Sequence, residues 1–173
     1  MSSTDGHDRL IVMGVTGSGK TTVGALLAGR LGGVFLDGDD YHPAANVEKM
    51  ARGDPLTDDD RWPWLDRLGA AIEEAVASDG CVVLACSALR RVYRDRLSAA
   101  CASPPLFVHL SGGQKLIHDR MATRREHFMP VTLLESQLAT LEPIEPDENA
   151  IVTEIDAPAD RIVGRILKEI ERI

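Results

Sequence analysis

Gly14-Val15-Thr16-Gly17-Ser18-Gly19-Lys20-Thr21 is the stretch whose reading decides the fold. An apolar run, Leu10 to Met13, precedes it, and a helical pattern from Thr22 to Leu31 follows. That context makes the match a phosphate-binding loop between a strand and a helix. Gly14, Gly17 and Gly19 let successive amide N–H groups turn inward as an anion-binding nest, to which the next helix adds its positive end. Lys20 then reaches the β- and γ-phosphates of a nucleotide and the Thr21 hydroxyl is placed to ligate Mg²⁺. Thr16, Ser18 and Thr22 complete the nucleotide-binding set, Thr22 by packing or capping the helix start.

Outward from this loop the chain alternates strands and helices. Strands are expected at 9–13, 34–36, 81–86, 106–110 and 150–155. Helices are expected at 20–31, 44–51, 58–77, 89–100, 114–124, 131–141 and 159–171, with Thr57 or Asp58 as the cap of the third. Such alternation implies a parallel sheet covered on both faces, and in such sheets ligands bind at the C-terminal strand edge. Residues 1–8 read as a flexible tail and 9–173 as one domain, an ordinary size for a single core.

Composition narrows the partners. The 173 residues carry 19 basic and 27 acidic side chains, a net charge of -8. That balance argues against a nucleic-acid surface and for a small substrate. Cys81, Cys86 and Cys101 are too few and too irregular for a disulfide framework or a zinc site, which fits a reducing cytoplasm. No stretch reaches the length of a membrane span, and 1–8 is unlike a signal peptide.

The strand at 82–85 lacks a terminal acid that would help hold a metal. Asp37 and Asp39, two apart at the end of the second strand, are the natural substitutes: one to orient Mg²⁺ through water, the other to take a proton from a substrate hydroxyl. His42, Asn46, Lys49, Asp60, Arg61, Ser87, Arg90 and Arg94 all fall in loops or first helical turns after strands two and three, so folding can gather them in one cleft. They supply cations and hydrogen-bonding groups to such a cleft. Trp64 and His109 read as core residues, and Asp58 and Asp59 as acids of a helix start.

Leu36-Asp37-Gly38-Asp39 with His42-Pro43, then Asn46, Lys49-Met50, Gly53, Pro55-Leu56, Asp58 to Arg61 and Pro63-Trp64-Leu65, resemble the gluconokinase family of P-loop kinases. Cys86-Ser87-Ala88-Leu89, Tyr93-Arg94-Asp95, His127-Phe128-Met129, Ser136-Gln137 and Leu141-Glu142-Pro143 continue the resemblance in order along most of the chain. It implies transfer of the γ-phosphoryl of ATP to the 6-hydroxyl of D-gluconate, with Mg²⁺, in a homodimeric enzyme. It also implies a three-layer α/β P-loop kinase fold, like adenylate and shikimate kinases, with a five-stranded parallel sheet in the order 2-3-1-4-5 and a helical lid at about 120–135.

Similarity to shikimate kinase makes Asp39 the base and Asp37 the metal organiser. Arg61 is the first choice for the gluconate carboxylate and Arg94 the second. Arg120 and Arg124, four apart, resemble the lid arginines of adenylate-kinase-like enzymes, which implies that Arg120 packs over adenine and Arg124 reaches the transferring phosphoryl. His127 and Gln137 are expected to contact substrate from the same moving segment, and Asp156 and Pro158 to lie in the adenine-side loop. The competing readings are a kinase for another small acceptor, or a nucleotide-operated switch without an acceptor.

Overall fold

Alternation along the first strand divides the protein into two packed layers. In β1 (Arg9–Met13) Leu10 and Val12 face one side and Ile11 and Met13 the other, all fully buried, because strand side chains alternate and both sheet faces are covered. The structure is a computed structural model and describes residues 7–123 and 131–173.

After β1 come α1 (Lys20–Leu31), β2 (Val34–Asp37), a 3-10 turn (Gly38–Tyr41), α2 (Ala44–Ala51) and α3 (Asp58–Asp79). Then follow β3 (Val82–Ala85), α4 (Arg91–Ala100), β4 (Leu106–Ser111), α5 (Gln114–Thr123), α6 (Val131–Thr140), β5 (Ala150–Glu154) and α7 (Ala159–Ile170). The strands form one parallel sheet in the order β2-β3-β1-β4-β5, as the resemblance implied. β1 is flanked by β3, through Ile11 opposite Leu84, and by β4, through Ile11 opposite Phe107.

Below one face, Leu10, Val12 and Val108 pack with Leu27 of α1 and with Ile162, Val163 and Ile166 of α7. Below the other, Ile11, Met13, Leu84 and Phe107 pack with Leu65, Leu68 and Ile72 of α3 and Leu97 of α4. With both faces apolar, the polar residues that carry chemistry collect at the C-terminal strand edge, where β1 opens into the phosphate loop and β2 into the 3-10 turn.

Two local departures from the sequence reading matter there. The helix expected from Leu89 begins only at Arg91, because Arg90 is extended (φ -101°, ψ 146°) and stands as its cap, after a left-handed Ala88 (φ 46°). Asp39 and Asp40 lie in the 3-10 turn instead of an open loop: Asp37 caps that turn, its carboxylate accepting the Asp39 N–H at 3.0 Å. At α3 the cap is Thr57, which forms a reciprocal box with Asp60.

Candidate active site

The phosphate loop is already ordered by its own groups. Lys20 Nζ donates to the carbonyls of Gly14 and Val15, each at 3.0 Å, and the Ser18 N–H donates to Val15 O at 3.2 Å. The Gly14 N–H donates to Ser87 O, which ties the start of the loop to the turn after β3. Ser18 is fully buried at the loop's base, while Thr21 and Thr22 are exposed at the start of α1. Gly17 lies directly under Met121 and Ile117 of α5.

Beside the loop, Gly17, Arg120, Thr123, Ala157, Pro158 and Ala159 line a cavity of about 310 Å³. Arg120 reaches across from α5 to the carbonyls of Ile155 and Ala157, so the residue expected over adenine bridges the two walls. Asp156 stands in the loop that carries Ala157 and Pro158 into this cavity, with its own carboxylate turned to Arg165 at 2.6 Å. Arg124 and His127 lie outside the described residues.

The acid pair stands at the end of β2 and in the 3-10 turn that follows it. Asp39 keeps contact with solvent, yet desolvation, followed by the negative charge of Asp37, raises its carboxyl above the ordinary range, with His42 and Lys20 pulling the other way. Its carboxylate therefore lies in the field of the phosphate-binding lysine. His42 stacks on Trp64 with ring centroids 4.2 Å apart, and Trp64 donates from Nε1 to Gly38 O at 2.8 Å, so a core tryptophan also fixes the acid turn and its neighbouring histidine. Burial lowers the His42 pKa, Asp39 opposes that fall and Arg61 adds to it. Asn46, buried on α2, donates to Asp60 O at 2.9 Å and lies 3.4 Å from His42 Nδ1.

Asp60 has a local duty. Its Oδ2 accepts from Lys49 Nζ at 2.7 Å and from the Thr57 N–H at 2.8 Å, and these contacts, the lysine first, hold its carboxyl down to about 2. Lys49 and Asp60 thus lock α2 to the start of α3.

The arginines separate clearly. Arg61 and Arg90 both lie over the Tyr93 ring, at 5.2 and 5.5 Å, and converge on Asp58, which accepts from Arg90 at 2.6 Å and from the Tyr93 hydroxyl at 2.5 Å. Both stay partly exposed and able to meet an anion. Arg94 does not, and its expected substrate contact is corrected here. Its side chain is 1% exposed, its Nε and Nη2 bind Glu148, and its remaining N–H groups bind the carbonyls of Ala88, Leu89, Glu142 and Pro143. With all five donors engaged, it is an internal brace. Gln137 also moves: its Oε1 accepts the Thr16 N–H at 2.6 Å, on the phosphate loop. Cys86 is buried and its thiol is pushed up to about 12 by desolvation, so it is no nucleophile.

Comparison with known proteins fits this arrangement. A family model described as an AAA domain matches residues 10–144. A probable gluconokinase of Xenopus tropicalis is 44% identical, the match covering 94% of this chain and 93% of the relative. The gluconokinase of Gluconobacter oxydans is 45% identical over 94% of this chain and 90% of its own. The chain belongs to the gluconokinase family. The crystal structure of a gluconokinase from Sinorhizobium meliloti 1021 superposes with a TM-score of 0.83 at 44% identity, covering 95% of this chain and 91% of that one.

In this gluconokinase-family site one contact escapes the sequence reading. Asp58 reads as an acid of a helix start, and Tyr93 stands in a block of the family resemblance that gives it no role. Their contact joins α3 to α4 across 35 residues, and no local pattern announces it. The available signal was the shared segment: Arg61, Arg90 and Tyr93 all follow strands that end at the same sheet edge.

Proposed function

We propose that the protein phosphorylates D-gluconate at its 6-hydroxyl with ATP and Mg²⁺, giving 6-phospho-D-gluconate and ADP. The observation that carries this reading is the placement of Asp39 in the turn that opens from β2, at the same strand edge as the Lys20 loop that opens from β1, with each charge felt by the other. As the acceptor oxygen bonds to the γ-phosphorus, its proton passes to the Asp39 carboxylate. The bond from that phosphorus to the β–γ bridging oxygen breaks, and ADP leaves with the electron pair. Lys20 neutralises charge on the phosphate oxygens, and the loop amides hold them in place.

Thr21 and Asp37 would hold the Mg²⁺. Both offer hard oxygen donors, and no group of three acidic, His or Cys side chains stands ready for a metal among the described residues. That donor set suits Mg²⁺, which keeps waters and phosphate oxygens in its shell. When bound, the ion neutralises charge on the β- and γ-phosphates. Arg61 is assigned to the gluconate carboxylate, with Arg90 beside it, and His42, Asn46 and Ser87 to the hydroxyls. Arg120 and Pro158 are assigned to the adenine end, with Arg124 and His127 closing from a lid at about 120–135.

A homodimer in the cytoplasm belongs to the same reading. Among the described residues no helix is long and apolar enough to cross a membrane, and Cys81, Cys86 and Cys101 are free thiols. A coupled ADP-release assay against gluconate, other sugar acids, shikimate and nucleoside monophosphates tests the substrate. Turnover with another acceptor and none with gluconate would overturn the assignment.

A further inference from the structure

Lys20 and Gln137 hold the same peptide group. The carbonyl of Val15 accepts from Lys20 Nζ at 3.0 Å, and the N–H of the same peptide, on Thr16, donates to Gln137 Oε1 at 2.6 Å. No peptide bond here is cis, so this C=O and N–H point in opposite directions and the two side chains grip the peptide from opposite sides. Val15 O also accepts the Ser18 N–H at 3.2 Å, so the orientation of this one peptide fixes both the loop's internal turn and the resting place of the ammonium.

Gln137 is itself firmly presented. It lies on α6, three residues beyond Leu134, which is fully buried in the core beneath α1 and α7. The chain just past α6 is anchored: the Glu142 N–H donates to Leu89 O at 2.8 Å, and the Glu142 carboxylate accepts the Arg91 N–H at 2.7 Å. A side chain on such a base can add an outside restraint to the bonds that the loop makes within itself.

We propose that Gln137 is a positioning residue for the phosphate-binding lysine, fixing the Val15–Thr16 peptide so that the loop is preorganised to receive the β- and γ-phosphates. The effect runs through its carbonyl oxygen as acceptor, with no contact to gluconate. Hydrogen bonds in series polarise one another, so the bond accepted by Gln137 strengthens Val15 O as the acceptor for Lys20. Without Gln137 the peptide is held from its carbonyl side alone, by Lys20 Nζ and the Ser18 N–H, and a nucleotide must complete its ordering on binding.

The inference rests on the kinase reading, so its test includes binding measurements that need no acceptor. Gln137→Leu, Gln137→Glu and Lys20→Met are prepared singly, and Gln137→Leu also in the Lys20→Met background. ATP and AMP affinities are measured by titration calorimetry, and kcat and the gluconate KM by ADP release. Gln137→Leu is expected to weaken ATP about three- to tenfold and to lower kcat about tenfold, the size of one net hydrogen bond. AMP affinity, which does not depend on Lys20 at the β- and γ-phosphates, stays within error and reports an intact fold. Gln137→Glu keeps the acceptor and recovers most of what Gln137→Leu loses. In the Lys20→Met background the Gln137→Leu effect on ATP disappears. The proposal is overturned if Gln137→Leu raises the gluconate KM with ATP affinity unchanged, if Gln137→Glu is as impaired as Gln137→Leu, or if the two substitutions add. Unchanged behaviour of Gln137→Leu in every assay overturns it equally.

Discussion

Replacing Arg94 by Met removes the charge and all five donors while keeping an unbranched apolar chain of similar reach. Arg94 is 1% exposed and its partner Glu148 6%, with Nε to Oε1 at 2.6 Å, so the substitution leaves a buried carboxylate with the Glu145 N–H at 2.7 Å and Arg91 at 3.9 Å in place of its main partner. Breaking such a pair from one side costs about 3–5 kcal/mol. The carbonyls of Ala88, Leu89, Glu142 and Pro143 lose a donor as well, and the left-handed turn at Ala88 loses its clamp, which puts the loss at the upper part of that range. For a chain of this length each kcal/mol moves the thermal midpoint by about 2–4 °C, so a fall of about 8–20 °C is expected. Calorimetry of both proteins measures it. The effect has a pH signature. Burial works to raise the Glu148 pKa, but the Arg94 hydrogen bond and the Glu145 N–H prevail and hold it below the usual value. A depressed folded pKa stabilises above the unfolded value of about 4.3 and is lost as pH falls through the folded value. The gap between wild type and Arg94→Met should therefore narrow below about pH 4. A midpoint change under about 3 °C at neutral pH would refute the brace.

Two further substitutions test the site's framework. A Cβ at Gly38 would stand 2.6 Å from the backbone oxygen of Ala85, so Gly38→Ala forces β2 and β3 apart beneath the acid turn, at about 1–3 kcal/mol by urea unfolding. At Gly17 a Cβ would meet Met121 Cγ at 2.6 Å, on a backbone with φ of 77°, so Gly17→Ala should weaken ATP and AMP alike, by about tenfold or more in titration calorimetry.

What the sequence made legible was local or repeated. The loop from Gly14 to Thr21 declares itself because its chemistry is contiguous, and the strands declare themselves because each is an apolar run between turn signals. The two acids after β2 were legible for the same reason. The brace at Arg94 was not, because an arginine near a strand end looks the same whether it faces substrate or a glutamate 54 residues away, and neither was the bond from Thr16 to Gln137, which joins positions 121 residues apart. Asp60 was legible in a second way: its pattern with Thr57 is a capping box readable from four residues, beside its place in the cleft set. Ala88 gave no signal, since alanine favours helix, yet it is left-handed here with its carbonyl held by Arg94.

The central claim is that gluconate is the acceptor and Asp39 its base, and one measurement addresses both: ADP release with ATP and Mg²⁺, with and without D-gluconate, for wild type and Asp39→Asn. Strong gluconate-dependent turnover in wild type is predicted, falling about 10²- to 10⁴-fold in the variant while ATP binding persists. Gluconate-independent ADP release in wild type, or a variant that turns over gluconate at the wild-type rate, would contradict the account.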